Sequence, residues 1–544
     1  MEHHSMQGGA AGLAYRGRTA SIGFAHGPFV RVDAGAAGER VAGTLVEEAL
    51  ALRNAIDVAS GQIADLAASA GGEAAQILEF QVALLEDEDL IETIFASIGE
   101  GRPADIAWRS TLDAHIADYN SAPDDYLKAR SSDLADLRDR VVHILRGDQG
   151  QPLKVPSGGV VCADDLPPSR FLEIDWSGGG GLALLRGSPT SHVAMLARAR
   201  GIPMVVQLGS IPDIGTMALL DGEGATLELD PNAEQIRTFE KRRDSHLKSR
   251  ASARAILRRP TASWRGERIK LFINIQRVED LEHADAQYAD GIGLMRTEFL
   301  LTERGSLPDE ETQFQAYDAV LRWADRRPVT IRTFDAGGDK PVPGFTVDGE
   351  ANPFLGVRGL RLCLARPEIF AVQLRALARA AVRGNLKVMF PMVTSADELE
   401  AGRKLFADVV QRLQADGIAA MLPELGIMVE VPAAALAVSS FKAAFFSIGS
   451  NDLAQYVLAC DRSNGALAPL VDPLHPAVLE LIARTAEHGR RAGISVSLCG
   501  DMAGDPRCLP ALLNCGLREL SVNASALAQI KHTIDRLSSG GGLG

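Results

Sequence analysis

Arg296, Arg332 and Arg358 bring three guanidiniums into one stretch of an otherwise acidic chain. Their planar paired donors match phosphate and carboxylate oxygens, so the natural counterpart is a small dianion or trianion. Each arginine could instead pair with a neighbouring carboxylate, for which Glu298, Asp335 and Asp339 are available. Glu430 and Asp452 supply hard oxygen ligands suited to Mg2+, or else salt-bridge partners for those same arginines. No local spacing motif marks a metal site. Cys499, in Leu498-Cys499-Gly500-Asp501, can serve as acid or nucleophile because an unperturbed thiol is mostly protonated near neutral pH, although a buried, inert cysteine is the commoner case. Lys340 follows Gly337-Gly338 like a fragment of a phosphate loop, but no Walker pattern is complete and no dinucleotide fingerprint occurs. His192 lies in Thr190-Ser191-His192-Val193-Ala194, where two hydroxyl residues can cap a starting helix. Helix N-termini attract anions, so a histidine there could carry a phosphoryl group, bind metal or shuttle protons. Taken alone, such a histidine is more often structural.

The elements that must hold these groups follow from periodicity. Beyond residue 265, short apolar runs recur at Leu271–Ile275, Gly293–Arg296, Val329–Thr333, Val388–Met392, Ile427–Glu430, Phe445–Gly449, Val496–Cys499 and Leu520–Val522, with helical patterns between most of them. Eight alternations over about 270 residues have the size and rhythm of a (β/α)8 barrel, a doubly wound open sheet being the alternative. Arg296, Arg332, Glu430, Asn451, Asp452 and Cys499 all fall at or just after strand C-terminal ends, the face on which barrel active sites are built. Upstream, Leu45, Ala49, Leu52, Ile56, Ala59, Ile63 and Leu66 step at helical spacing, and similar patterns cover residues 74–98, 103–120 and 126–145, which together read as a four-helix bundle. Residues 158–230 have the Gly, Pro and β-branched texture of an α/β domain carrying His192. The strand-like stretch from Ala20 to Asp33 makes the bundle an insertion into that domain. The expected boundaries are 1–34 for the first strands, 35–150 for the helices, 151–232 for the α/β domain, 233–264 for a charged helical linker and 265–540 for the barrel.

With 544 residues the chain needs two to four domains. A net charge of -14 argues against a general nucleic-acid or anionic-membrane surface while leaving room for a local basic pocket and a basic protein partner. The six cysteines form no Cys-x-x-Cys pair and suit a reducing compartment. No run of about eighteen uninterrupted apolar residues occurs, and the first residues lack a basic region followed by an apolar one, so the expected location is the cytoplasm, without membrane insertion.

Several long motifs, in order, resemble the Enzyme I family of phosphoenolpyruvate-protein phosphotransferases. They include Pro189-Thr190-Ser191-His192, Leu294-Met295-Arg296-Thr297-Glu298-Phe299-Leu300, the run from Ile331 to Lys340, Asn352-Pro353-Phe354-Leu355-Gly356-Val357-Arg358, Gly426-Ile427-Met428-Val429-Glu430, Phe446 to Leu453, and Cys499-Gly500-Asp501-Met502-Ala503-Gly504. Leu84 to Leu90 is similar to a segment of the family's domain that docks the small phosphocarrier protein HPr. The resemblance implies a swivelling phosphohistidine domain with an inserted HPr-binding bundle, and a barrel that binds phosphoenolpyruvate. It implies that His192 is phosphorylated through Nε2, that Arg296 and Arg332 clamp the phosphate, and that Asn451 and Arg462 contact substrate. Arg358 and Lys340 join the anion-binding set. Glu430 and Asp452 would hold Mg2+, and Cys499 would protonate the enolate to release pyruvate. A homodimer through the barrel is implied as well. Ser450, Asp501 and Ser463 stand where the family usually has threonine, glutamate and glycine, and Gly187-Ser188-Pro189 departs from its usual glycine-rich loop.

Three rival readings remain. A phosphoenolpyruvate-forming dikinase would need a further nucleotide-binding domain of a few hundred residues, and a short helical bundle stands in its place. A regulatory relic would not need the intact reactive set. A nitrogen-branch regulator differs mainly in its carrier and often bears a sensory domain, so the sugar-uptake branch is favoured.

Overall fold

The computed structural model describes residues 13–32, 40–69, 73–121, 125–147, 155–189, 191–212, 215–261, 263–283, 285–302, 307–338, 342–347, 349–461, 467 and 470–540. The chain divides into two compact units, Met1–His246 and Leu247–Gly544.

The first unit is built on an eight-stranded sheet of β1 (Leu13–Arg16), β2 (Arg18–Ser21), β3 (Phe24–Val32), β4 (Val160–Ala163), β5 (Gly181–Leu184), β6 (Met204–Val206), β7 (Met217–Asp221) and β8 (Thr226–Leu229), in the order β1-β8-β7-β3-β4-β5-β6-β2. β3 pairs in parallel with β4, Phe29 opposite Val160, although some 130 residues separate them. The helices α1 (Leu45–Ser69), α2 (Glu73–Leu85), α3 (Glu88–Gly99), α4 (Ala104–Ser121) and α5 (Asp125–Leu145) fill that interval, so the bundle is an insertion between neighbouring strands. The pattern over 74–98 forms two helices instead of one. Asp87 turns extended and its carboxylate accepts the backbone N–H of Leu90, which starts a new helix at Glu88. Two shorter helices follow, α6 (Pro168–Glu173) and α7 (His192–Arg200). Val193, Ala194 and Ala197 of α7 join one core with Leu52 and Ile63 of α1 and Leu137 of α5.

Helix α8 (Ala233–Ile256) runs across the division between the units and is highly charged along its length. After a short hairpin, β9 (Ser263–Trp264) and β10 (Glu267–Arg268), the second unit closes a parallel barrel from β11 (Lys270–Ile275), β12 (Ile292–Met295), β13 (Val329–Arg332), β14 (Leu386–Phe390), β15 (Glu424–Val429), β16 (Phe445–Ile448), β17 (Ser495–Leu498) and β18 (Glu519–Asn523). β11 pairs with both β12 and β18, which seals the cylinder and leaves no edge. All eight expected strands are present.

The principal helices outside the barrel are α9 (Phe299–Thr302), α10 (Glu310–Ala324), α11 (Gly359–Ala365), α12 (Pro367–Ala380), α13 (Ala396–Ala415), α14 (Pro432–Leu436), α15 (Ser450–Leu458), α16 (Pro476–Ala492), α17 (Leu509–Asn514) and α18 (Leu527–Ser538). Their starts are written in the sequence, as in α13, where Ser395 and Glu398 form a reciprocal capping box. Strand side chains alternate between two cores. Leu294, Met389, Met428, Phe445 and Cys499 form a cluster of their own, while Ile273, Ile331, Val388, Ile427 and Ile448 pack with the helices.

Candidate active site

His192 is the first residue of α7, directly after the cap Ser191, whose hydroxyl accepts the backbone N–H of Ala194 at 3.3 Å. The loop before it is tied down by Arg198, whose guanidinium donates to the carbonyls of Pro189 and Ala20, each at 2.8 Å. The imidazole is partly exposed, and its Nδ1 lies 3.5 Å from Oδ1 of Asp133, a fully buried carboxylate on α5. The carboxylate thus faces the Nδ1 side of the ring.

A buried polar cluster continues from there into the bundle. Gln81 donates to the Asp133 carbonyl at 3.0 Å and to Asp136 at 3.1 Å, and Ser169 donates to Asp136 at 2.7 Å. Burial raises the Asp136 carboxyl above its ordinary range despite Arg140 nearby. Asp133 was not singled out from the sequence. The available signal was Asp133, Asp136 and Arg140 recurring at helical spacing beside the buried Leu134, Leu137 and Val141.

At the C-terminal mouth of the barrel the second set of residues converges. Arg332 ends β13 and is 4% exposed. It bonds Glu298 and Asp335, each at 3.0 Å, and Asp335 in turn accepts both of its 3.1 Å bonds from Arg358. Arg358 also stands 3.6 Å from Asp452 and donates to the Tyr456 hydroxyl at 3.3 Å. The anticipated carboxylate pairing therefore exists for two of the three arginines, and Asp335 serves both. Burial alone would lower Arg332 and Arg358, but the surrounding carboxylates outweigh it and hold both firmly charged. Arg296, just past β12, is half-buried and makes no side-chain ion pair among the described residues.

Glu430 follows β15, is 1% exposed, and accepts the backbone N–H of Met392 at 2.7 Å. Glycine at 449 leaves room for it, since a Cβ there would stand 2.8 Å from Glu430 Oε2 and 3.0 Å from its Cβ. Asp452 lies in the first turn of α15. Desolvation first, then Asp452 and Asp335, push the Glu430 carboxyl up to about 8. Two hard oxygen donors in a pocket holding more carboxylate than it can easily ionise suit a divalent cation. No group of three or more potential metal-ligating side chains occurs among the described residues.

Cys499 follows β17 and is 4% exposed. Burial raises its thiol, while a hydrogen bond from Ser447 and the charge of Arg332 pull the other way. The thiol is thus a protonated acid at neutral pH. Asn451 is engaged by the next turn, donating to Asp501 at 3.0 Å and accepting the Asp501 N–H at 2.9 Å. Lys340, Arg462 and Thr190 lie outside the described residues.

Behind the site, a buried chain of polar groups braces the arginine-bearing strand ends. Gln373 on α12 accepts the N–H of Phe334 at 3.1 Å and donates to the hydroxyls of Thr297 and Tyr317, each at 3.2 Å. Thr297 donates onward to the Arg332 carbonyl at 3.0 Å, and Tyr317 to Gln313 at 3.1 Å. One amide thereby fixes the spacing between the segment that follows Arg296 and the one that follows Arg332. Sequence reasoning missed Gln373, Tyr317 and Ser447.

Models of three domains match the chain: PEP-utilising enzyme N-terminal over residues 16–130, mobile domain over 155–230 and PEP-binding domain over 250–539. The chain is 37% identical over 475 residues to the phosphoenolpyruvate-protein phosphotransferase of Listeria innocua, covering 86% of this chain and 83% of that protein. It is 35% identical over 477 residues to the protein of that name from Bacillus subtilis, covering 86% and 84%. The Haloferax volcanii protein of the same name is 38% identical over 475 residues, covering 85% and 82%. On identity across nearly its whole length, the chain belongs to the phosphoenolpyruvate-protein phosphotransferase family.

Proposed function

We propose that the chain transfers the phosphoryl group of phosphoenolpyruvate to His192, releases pyruvate, and passes the group to a histidine of the phosphocarrier HPr, as the first step of phosphotransferase sugar uptake. The observation that carries this is the barrel mouth. Buried arginines, a carboxylate pair and a protonated thiol meet there, and the histidine that can accept a phosphoryl group is on the other unit.

Arg296 and Arg332 hold the phosphate oxygens, with Arg358 steering Asp335 and Asp452; Lys340, Asn451 and Arg462 complete the substrate contacts. His192 Nε2 attacks phosphorus as the bond from phosphorus to the enol oxygen breaks. Asp133 keeps the proton on Nδ1 through the transfer, and the α7 N-terminus faces the new phosphoryl group with free N–H donors. Positioning and charge neutralisation supply most of such a rate enhancement. The enolate left behind takes a proton at its methylene carbon from the Cys499 thiol, giving pyruvate. Glu430 and Asp452 fit a divalent cation, Mg2+ by the hardness of its ligands, and when bound it would neutralise charge on the substrate's oxygens.

His192 must meet both phosphoenolpyruvate and the carrier, so its domain must visit each in turn. A cross-link that fixes the two units should stop turnover at one half-reaction, and full activity in the locked protein would sink this part of the reading. Cytoplasmic location and a homodimer through the barrel complete the proposal. No described helix is long and apolar enough to cross a membrane, and light scattering tests the dimer. The central test is incubation with labelled phosphoenolpyruvate and Mg2+. Wild type should yield an acid-labile phosphoprotein and His192→Ala none; no labelling of wild type overturns the proposal.

A further inference from the structure

Proton donation by Cys499 leaves a thiolate, which must recover a proton before the next turnover. Beside it, apart from the Ile448 carbonyl that accepts from Sγ at 3.6 Å, are two serines inside the barrel. Ser447 on β16 and Ser497 on β17 are directly opposite in the parallel register and so share the lumen face. The Ser497 hydroxyl donates to the Ser447 hydroxyl at 3.1 Å, and the Ser447 hydroxyl donates to Cys499 Sγ at 3.4 Å. Ser447 is 1% exposed, whereas Ser497 is only part-buried. Among the described residues these hydroxyls make no other side-chain hydrogen bond; near them lie the apolar Leu294, Met389, Met428 and Phe445 and a separate polar pair, Asn274 and Ser521, bonded to each other at 2.6 Å. Ser497 and Ser447 are thus directed in sequence toward one sulfur, and neither hydroxyl joins the Asn274–Ser521 pair.

We propose that Ser497 and Ser447 form a hydroxyl relay that carries a proton from solvent to Cys499 after the thiol has protonated the enolate. The inference rests on the acid role assigned to Cys499 above. The Sγ–H bond breaks as the C–H bond of pyruvate forms. The thiolate then takes the Ser447 proton, Ser447 takes that of Ser497, and Ser497 is replenished by water at its exposed side, with one solvent proton consumed per pyruvate. Burial disfavours the thiolate more than the nearby Arg332 and Arg296 favour it, so the sulfur draws a replacement proton.

The experiment follows exchange of pyruvate methyl protons with D2O, read by proton NMR, using the full-length phosphorylated protein with Mg2+ and pyruvate. In that direction the thiolate removes a methyl proton, which must leave through the same relay. Ser447→Ala should slow exchange about tenfold or more, a modest part of what a positioned acid contributes. Ser497→Ala, which removes no contact to sulfur, should slow it several-fold, and Ser447→Thr should restore much of the rate. Melting temperatures identify any variant that fails to fold, and the threonine variant keeps the test informative if alanine does. Wild-type exchange in both alanine variants overturns the relay. Slowing by Ser447→Ala alone also overturns it, in favour of a local contact that steadies the thiolate. Wild-type exchange by Cys499→Ala instead overturns the acid role itself, whatever the serines do.

Discussion

Cation binding at the barrel mouth should be strongly coupled to the proton on Glu430. That carboxyl is pushed up to about 8, by desolvation first and then by Asp452 and Asp335. A group with that value is about one-tenth ionised at pH 7, yet a cation held by Glu430 and Asp452 needs the ionised form. Binding at pH 7 should therefore release roughly 0.9 proton per ion. Apparent affinity should rise about tenfold from pH 6 to pH 7, or about 1.4 kcal/mol, rise less from 7 to 8, and level off above about 9. The sign for stability follows from the same shift. The folded value lies above the ordinary 4.5, so the folded state keeps a proton that the unfolded chain gives up between about 4.5 and 8. Cation-free protein should thus lose stability as pH rises through that window, and added cation should offset the loss. Isothermal titration with Mg2+ or Mn2+, in buffers of different ionisation enthalpy, measures affinity and proton release together. An affinity that is flat from pH 6 to 8, with no proton released, would refute the reasoning, as would wild-type affinity in Glu430→Gln.

Three further perturbations bear on separate parts of the site. Asp335→Asn leaves Arg332 and Arg358 without their shared carboxylate and should cost about 3–5 kcal/mol in urea unfolding of the full chain, as for broken buried pairs; a loss under 1 kcal/mol would mean that Glu298 and Asp452 suffice. Asp133→Asn should slow phosphorylation of His192 about tenfold or more through loss of the Nδ1 partner, with Asp133→Glu recovering part of the rate in rapid-quench assays; an unchanged rate removes Asp133 from the mechanism. Gly449→Ala places a methyl within 2.8 Å of Glu430 Oε2 and should cost about 1–3 kcal/mol while weakening cation binding, both readable from melting curves with and without Mg2+.

The barrel was legible because each of its buried parallel strands is a short apolar run, and because Arg332, Glu430 and Cys499 interrupt that pattern where strands stop. His192 was legible as a helix start because Ser191 precedes it, and the Ser191 cap is present. The split at Asp87 was missed because the apolar period continues across it, and only the cap marks the new start. Asp133 could not be assigned to His192 because it reaches the imidazole from an inserted helix, and no spacing rule spans that separation. Gln373 and Tyr317 read as ordinary polar positions on amphipathic helices. Their burial depends on how α10 and α12 pack against the barrel wall, which a single sequence does not encode locally. The serine relay turns on strand parity, which becomes definite only once the register of β16 against β17 is known.

The brace behind the arginines also bears on inheritance. Gln373 uses its oxygen and both of its N–H bonds, Thr297 and Tyr317 each donate and accept, and Gln313 takes the last of these bonds. Changing one of these side chains leaves a desolvated neighbour without its partner, a penalty of about 1–3 kcal/mol that replacing both together can avoid. Positions 297, 313, 317 and 373 are therefore expected to vary as a set among descendants of this sequence. Drift in the outer wall of the barrel is then constrained by the two arginine-bearing strand ends it supports.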